Sequence, residues 1–561
     1  MNYKDIFANE LYHVIENKVA YETILNRIEK PSQESYGDFA FPCFDLAKIM
    51  RRSPQQIASE LAPKLEHPAF ERCESVGAYL NVYLKKRQAS SEIISDVLES
   101  GYEFGRSNHG NNGKVPIDMS SPNIAKPFSM GHLRSTVIGN SLALLLEKIG
   151  CEPIRINHLG DWGTQFGKLI AAYLKWGDEE KVRQNTIKEL LALYIKFHEE
   201  AEKDANLEDE GRRWFKRLED GDKQAVKLWE WFREESLKEF NRIYELMDIS
   251  FDSTNGEAFY NDKMDRVVQL LSDKELLKES EGALVVEMDD DNLPPCLIKK
   301  KDGATLYATR DLAAALYRYE TYGFSQSLYV VGNEQSLHFK QLIEVLKKLD
   351  FDFAENMHHI SFGMMLKDGK KMSTRKGKVV LLEEVLEEAI QLAKVNIETK
   401  NPSLLNKDVI AKQVGVGAVL FHDLKNDRRN DIDFSLESML RVEGETGPYV
   451  QYTNARACSI LRKGQYTKGD VSGVEDEKAW PIVMLLNAFP ETVQRAAREF
   501  DPSIVAKYLI DLSRSFNKYY SHVRILDEEN MKQGRLDLVA SVSIVLTEGL
   551  RLLGIHAPQE M

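Results

Sequence analysis

The chain lacks the features that would place it in several common protein classes. Its five cysteines (Cys43, Cys73, Cys151, Cys296 and Cys458) lie far apart, with no CxxC pair and no mixed Cys/His spacing. That usage points to a reducing compartment and away from a structural zinc site. No stretch approaches the roughly 20 apolar residues that a membrane span requires. The N-terminus, MNYKDIFANELYHVIEN, has no basic segment followed by an apolar run, so no signal peptide is expected and the cytoplasm is the expected address. There is no excess of basic charge either, since the formal net charge is -14. A polyanion partner would therefore need a local basic groove on an acidic body. Repeats and low-complexity tracts are missing, as are a GxxxxGK[ST] loop and a GxGxxG fingerprint, so phosphates are not held in the Walker or dinucleotide fashion.

What is present fits a large globular protein. A chain of 561 residues exceeds one ordinary core, and two to four domains are expected. In VGAYLNVYLKK, Ala78, Leu80, Val82 and Leu84 share one face and Tyr79, Asn81 and Tyr83 the other, which predicts a half-buried strand. The Gly- and Asn-rich segment Gly101 to Lys114 reads as a boundary. From Val115 the order is strand (VPIDM), helix (about His132 to Lys148) and strand (EPIRINHLG), a βαβ unit that implies a parallel sheet. Residues from about 177 to 252 are nearly all helical and heavily charged, and predict a helical insertion. Strand patterns return in SLYVVG and HHISFGMML, and from about Glu443 the chain reads as helices only. The expected architecture is thus α/β: a Rossmann-like parallel-sheet catalytic domain over 109–440, an N-terminal α+β domain over 1–108 and a C-terminal all-helical domain over 441–561.

Two strand-to-helix corners carry chemistry. Gly131-His132 stands where a helix begins, and a helix N-terminus offers free N–H groups and a positive dipole end to phosphate. Alone it is no more than an ordinary helix start. The second corner, KDGKKMSTRKGK, packs lysines, an arginine and hydroxyl residues around glycines. It reads either as a solvated basic loop or as a set of cations for a pyrophosphate leaving group. The pair is more specific than either part.

Together these segments resemble class I aminoacyl-tRNA synthetases, and among them the arginyl-tRNA synthetase family. FSMGH is similar to the HxGH signature and KMSTRKG to KMSKS. SSPNIAKPF, INHLGDWGTQFGKL, GATLYATRDLAAA, GNEQSLHF and GPYVQYTNARA resemble arginyl-enzyme blocks in the right order, and the likeness runs from YGDFAFPCFDLAK to GLRLLGIHAPQEM. The resemblance implies activation of L-arginine with ATP to arginyl-adenylate, Mg²⁺ accompanying the nucleotide, and transfer to the 3′ end of tRNA(Arg), with bound tRNA required for the first step too. It assigns Lys126, His132, Lys371 and Ser373 to catalysis. For ATP it implies Ser129, Gly131, His132, Met364, Met365, Lys371 and Lys376. For arginine it implies Ser121, Asn123 and Gln335 on the α-groups, Glu257 and Asp311 on the guanidinium, and Tyr307 against the side chain. His158 and Asp161 either shape this cleft or are strand-end turn residues. No dedicated metal site is expected. Tyr449, Tyr452, Asn454, Arg456, Tyr519 and Tyr520 are candidates for tRNA contact, with helix packing the equal alternative for the tyrosines.

Two departures from the family pattern stand out. Ser129 replaces the first signature histidine, and Thr374 the second loop lysine. Lys126, upstream of the histidine signature, takes the place of that lysine in the family's own manner, with Lys376 in reserve. Rival readings are a small-molecule adenylyltransferase with an HxGH corner, a catalytically silent RNA-binding relative, and another class I synthetase. A glutamate cleft, however, would want basic residues in place of Glu257 and Asp311. The helical insertion is too small and strand-poor for a hydrolytic editing domain. A monomer is expected.

Overall fold

A computed structural model describes residues 3–288, 293–300, 307–367, 369–371, 380–474 and 476–561. The short apolar run VPID forms the strand Lys114–Asp118, the centre of a four-stranded sheet. It pairs in parallel with Glu152–Ile156 on one side and Ser327–Tyr329 on the other, and Met357–His359 adds to the latter edge, also in parallel. Chain order is therefore reversed across the sheet between Lys114–Asp118 and Ser327–Tyr329. That switch point leaves a crevice at the carboxyl ends of the strands, where α/β sheets bind ligands.

The helix after the first strand spans Met130–Lys148, two residues more at its start than the sequence pattern predicts. It is buried on nearly every face, because it lies between the sheet and the C-terminal helices, with Ser141 Oγ donating to Leu552 O at 2.8 Å. The chain leaves it through Gly150 at φ 89°. A glycine there closes the helix without steric strain.

The insertion is helical as predicted, with helices Glu179–Gln184, Thr186–Ala201, Asn206–Glu219 and Lys223–Leu246. A three-stranded antiparallel meander follows (Leu277–Ser280, Ala283–Val286, Cys296–Lys299), which the sequence pattern does not reveal. Its strands are four residues long and largely exposed on the first, too short for a period of two to stand out. HHISFGMML is not one strand. Met357–His359 belongs to the main sheet, while Met365–Lys367 pairs in parallel with Ile432–Asp433 and antiparallel with Lys370–Lys371.

In the N-terminal part, Tyr79–Leu84 is the central strand of an antiparallel sheet, flanked by Phe39–Pro42 and Phe70–Val76. Both faces are covered at Asn81, so the strand is more buried than its alternation implies. C-terminal helices Gly447–Lys463, Trp480–Arg498, Ser503–His522 and Glu529–Leu552 pack as a bundle. The N-terminal part leans on it through Trp480 Nε1 to Asp38 Oδ1, 2.6 Å, and Ser91 Oγ to Val471 O, 2.8 Å. Among the described residues no helix is long and apolar enough to cross a membrane.

Candidate active site

The loop that leaves the central strand is under backbone strain. Ser120, Ser121 and Ala125 all have φ between 50° and 70°, in the left-handed region that side chains disfavour. Side-chain hydrogen bonds hold it there. Ser120 N–H donates to Ser135 Oγ at 2.9 Å, Ser121 N–H to Asn157 Oδ1 at 3.2 Å, and Ala125 N–H to Ser236 Oγ at 3.1 Å. Asn123 bridges Gly160 of the next strand's exit loop, and a Cβ on Gly160 would lie 2.3 Å from Asn123 Oδ1. Lys126 is exposed on this loop and makes no hydrogen bond or ion pair among the described residues.

Ser129, the departure from the signature, is the N-cap of the helix. Its N–H donates to His132 Nδ1 at 3.1 Å, with Oγ 3.2 Å from the same nitrogen. That contact leaves the ring proton on Nε2. Burial pushes the imidazole below its ordinary value, and the Lys126 charge acts the same way, so the ring is neutral at pH 7. Phe128 packs against the ring at 5.1 Å between centroids and is itself seated on Tyr244. A Cβ on Gly131 would meet only Ser129 Oγ at 3.5 Å, so packing within the protein does not demand glycine there.

The basic loop is joined to this corner by main-chain bonds. Met130 N–H donates to Val380 O at 3.1 Å and Leu382 N–H to Phe128 O at 3.0 Å, immediately after the loop returns. Ser373 and Lys376 lie outside the described residues, and Lys371 is placed by its backbone alone, opposite Leu366. The expectation for Met364 needs correction. Its N–H donates to Asp431 Oδ1 at 2.7 Å, so that donor is not free for an adenine edge, while its carbonyl accepts from Ile432 N at 2.9 Å and keeps a second lone pair. Met365 is buried in the core.

Glu257 and Asp311 reach the same cleft from different elements. Asp161, 1% exposed, accepts from Ala258 N–H at 2.9 Å and pairs with Arg233 at 2.9 Å. Glu257 N–H donates to Leu159 O at 2.9 Å. Asp161 is thus more than a turn residue, since it fixes the loop that carries Glu257. Burial, with the charges of Asp311 and Asp161 adding to it and Arg310 opposing, pushes the Glu257 carboxyl up to about 7. Asp311 stands on helix Tyr307–Tyr322, one turn after the 67% exposed Tyr307. Burial alone would raise its carboxyl. The hydrogen bond to His338 and the nearby positive charges outweigh that and hold it below the ordinary value. Gln335 is exposed at the exit of strand Ser327–Tyr329.

Several supporting residues were not found from sequence. Arg318, two turns after Asp311, pairs with Asp118 at 2.8 Å and approaches His158 Nδ1 at 3.4 Å. Asp118 also accepts from Ser121 Oγ at 2.9 Å, so one buried pair links both expected halves of the arginine site. Burial keeps His158 below its ordinary value. Arg134, two residues after the signature histidine, is 1% exposed. It binds Asp423 at 3.2 Å and donates to Gly363 O and Asn430 O, both at 2.8 Å. The only sequence signal for either arginine was a charge on an otherwise apolar helix face.

The tRNA candidates separate by burial. Asn454 and Tyr519 are 1% exposed, and Tyr519 OH donates to Asp476 Oδ2 at 2.9 Å. Tyr449 OH accepts from Asn517 at 3.1 Å. Asn454 and Tyr519 pack within the bundle, which corrects their candidacy, whereas Tyr449 is only half-buried and shares Asn517 with Arg456. Tyr452, Arg456 and Tyr520 instead come together, with the guanidinium 4.9 Å and 5.0 Å from the two ring centroids. They line a groove of about 830 Å³ with Lys463, Arg462 and Arg524.

The parallel sheet, its switch-point crevice and the histidine corner joined to a basic loop define a class I aminoacyl-tRNA synthetase. Comparison with known proteins agrees: residues 93–436 match the family model for tRNA synthetases class I (R), catalytic domain. Residues 1–84 match the arginyl tRNA synthetase N terminal domain and residues 450–561 the DALR anticodon binding domain. The chain is similar to the arginine–tRNA ligases of Enterococcus faecalis (60% identical over 563 residues) and Exiguobacterium sp. (59% over 561), each pair matched over 100% of both chains. Among solved structures it is similar to the arginyl-tRNA synthetase of Thermus thermophilus, with TM-score 0.84, 26% identity, and 98% of this chain and 99% of that one covered. The chain belongs to the arginyl-tRNA synthetase family. Its activity is the charging of tRNA(Arg) with arginine, and as a class I enzyme it uses ATP.

Proposed function

We propose the following division of labour in that reaction. The observation that carries it is the pair of carboxylates, Glu257 and Asp311, close enough in one crevice for the charge of one to raise the other. A crevice that crowds negative charge in partial burial selects a cation, and two carboxylates match the fork of a guanidinium. Ser121 Oγ donates to Asp118 and keeps its lone pairs for the α-ammonium of arginine. Asn123 and Gln335 complete the grip on the α-groups, and Tyr307 closes over the side chain.

ATP lies across the helix start. His132 donates from Nε2 to a phosphoryl oxygen, the open space over Gly131 lets phosphate approach the backbone, and Ser129 holds the ring in the tautomer this needs. Ser129 thus acts on the phosphates through His132 rather than as a charge. Lys126, Lys371 and Lys376, with Ser373 on the same loop, neutralise the pyrophosphate as it leaves. Mg²⁺ entering with the nucleotide would add charge neutralisation at the phosphates.

An arginine carboxylate oxygen attacks the α-phosphorus, the bond to pyrophosphate breaks, and arginyl-adenylate forms. The 2′-oxygen of the terminal adenosine then attacks the activated carbonyl. AMP leaves, and the hydroxyl proton passes to a phosphate oxygen or to solvent. Neutral His132 orients charge throughout, so positioning and electrostatics carry the rate. Tyr452, Arg456 and Tyr520 form a stacking platform for unpaired tRNA bases in a groove edged with basic residues. The N-terminal domain adds a further tRNA contact. Widely separated free cysteines suit the cytoplasm, and the reading takes the chain as a monomer.

The test is ATP-dependent charging of tRNA with each labelled amino acid in turn. Arginine alone should be charged. Lys126→Ala and His132→Ala should each lower kcat by roughly a hundredfold or more, as removal of one preorganised charge-stabilising group does. Full activity in Lys126→Ala would transfer its role to Lys376.

A further inference from the structure

His338 makes a short polar contact in the crevice, and the division of labour above gives it no role. It stands on the first turn of helix Ser336–Lys348, three residues after Gln335, at the exit of the strand beside the switch point. Its Nε2 lies 2.6 Å from Asp311 Oδ2. Both side chains remain partly exposed toward the crevice, at 22% and 27%. Asp311 Oδ1 has no hydrogen bond among the described residues. The ring of His338 meets Phe339 edge-on at 5.3 Å, which limits its rotation.

We infer that His338 is a positioning residue for amino-acid selection, holding Asp311 Oδ2 so that Oδ1 alone is aimed at the substrate guanidinium. The inference rests on the assignment of Asp311 to that guanidinium. The physical reason lies in the carboxylate's own freedom. The last torsion of an aspartate is broad and two-fold, so an untethered carboxylate presents either oxygen in many directions. That suits an ammonium, which accepts any approach, and wastes the planar fork of a guanidinium, which needs acceptors fixed in one plane. Since Asp311 is held ionised, it accepts and His338 donates, so the ring proton must sit on Nε2 whatever the state of Nδ1. Glu257, on a separate loop fixed by Asp161, then offers the second acceptor from the other side of the crevice.

The contact should therefore act on arginine and not on ATP. Full-length wild-type enzyme and the variants His338→Phe, His338→Asn, His338→Gln and Asp311→Asn are assayed for charging, with arginine, ATP and tRNA(Arg) varied independently. Phenylalanine keeps the ring without the donor, and asparagine keeps a donor on a side chain too short to reach. Glutamine brings its amide to about the position of Nε2. In the phenylalanine and asparagine variants the KM for arginine should rise about tenfold or more, the loss expected for one charge-assisted hydrogen bond, with kcat within about twofold. The KM for ATP and for tRNA should stay at wild type, and the glutamine variant should recover most of the loss. If either short or apolar variant folds poorly, the other carries the comparison with glutamine.

An unchanged KM for arginine in these two variants overturns the inference, as does a parallel rise in the KM for ATP, which would mark collapse of the helix start. Equal impairment in glutamine and phenylalanine overturns it as well. An unchanged KM for arginine in Asp311→Asn would instead remove the carboxylate assignment beneath it, so the two failures are distinguishable.

Discussion

In the proposed division of labour Glu257 meets the arginine guanidinium, and the charge state of its carboxyl makes that assignment measurable. Burial and its acidic neighbours push Glu257 from the ordinary 4.5 up to about 7. A guanidinium beside it reverses that, so arginine binds the ionised form and displaces the proton from the rest. With a free-state pKa near 7 and an ionised bound state, the apparent Kd is multiplied by about 1.1 at pH 8, about 2 at pH 7 and about 11 at pH 6. Affinity for arginine should therefore weaken about tenfold from pH 8 to pH 6, and binding at pH 7 should release about half a proton. Isothermal calorimetry in two buffers of different ionisation enthalpy reads both quantities directly. Glu257→Gln is the control, because it removes this one carboxyl and leaves the rest of the crevice in place. It should bind weakly, with the Glu257-linked slope and proton release gone.

The same shift bears on stability with a definite sign. A carboxyl raised in the folded chain contributes stability that is fully present below about 4.5 and is lost as pH rises through about 7, a swing of about 3 kcal/mol. The glutamine variant should then be more stable than wild type at pH 8 when no arginine is bound, a trade of stability for function. A flat pH dependence in the wild type, or the same slope in the variant, would refute the argument.

Two further outcomes follow from burial. Arg134→Met strands the Asp423 carboxylate in the core and leaves two carbonyls without donors, so unfolding should be easier by about 3–5 kcal/mol. The double variant with Asp423→Leu should recover much of this in urea or thermal unfolding, and equal stability of single and double variants would contradict the pairing. In the C-terminal groove, Tyr452→Ala and Tyr520→Ala should each weaken tRNA binding by about 1–3 kcal/mol, the range of one stacked base, at little cost in stability. Tyr519→Phe, which cuts the bond to Asp476, should show the reverse pattern in filter binding and unfolding.

The sequence by itself determined the class of the molecule and the order of its parts. Local signals did this: alternation and helical spacing, the glycine and histidine at a helix start, the lysine-rich corner and the acidic NGEAF and YATRD segments. Each is readable because it depends on residues within a few positions of one another. Ser129 was legible only as a missing histidine. Tertiary structure decided its contacts, because the N-cap geometry that points its N–H at Nδ1 exists only once the helix is built.

Burial sorted the tyrosines in the same way. Tyr519 and Tyr520 are neighbours in sequence, yet one is sealed in the bundle and the other lines the groove, since helix rotation against its partners has no signature in two adjacent identical residues. The long-range pairs were beyond sequence altogether. Arg318 with Asp118, Arg134 with Asp423 and His338 with Asp311 join residues 200, 289 and 27 positions apart. Single charges on apolar faces carry no mark of which distant carboxylate will meet them. Only the folding of parallel strands into one sheet brings their carboxyl ends together, and with them the pairs Arg318–Asp118 and His338–Asp311, while Arg134–Asp423 is sealed in the core between helices.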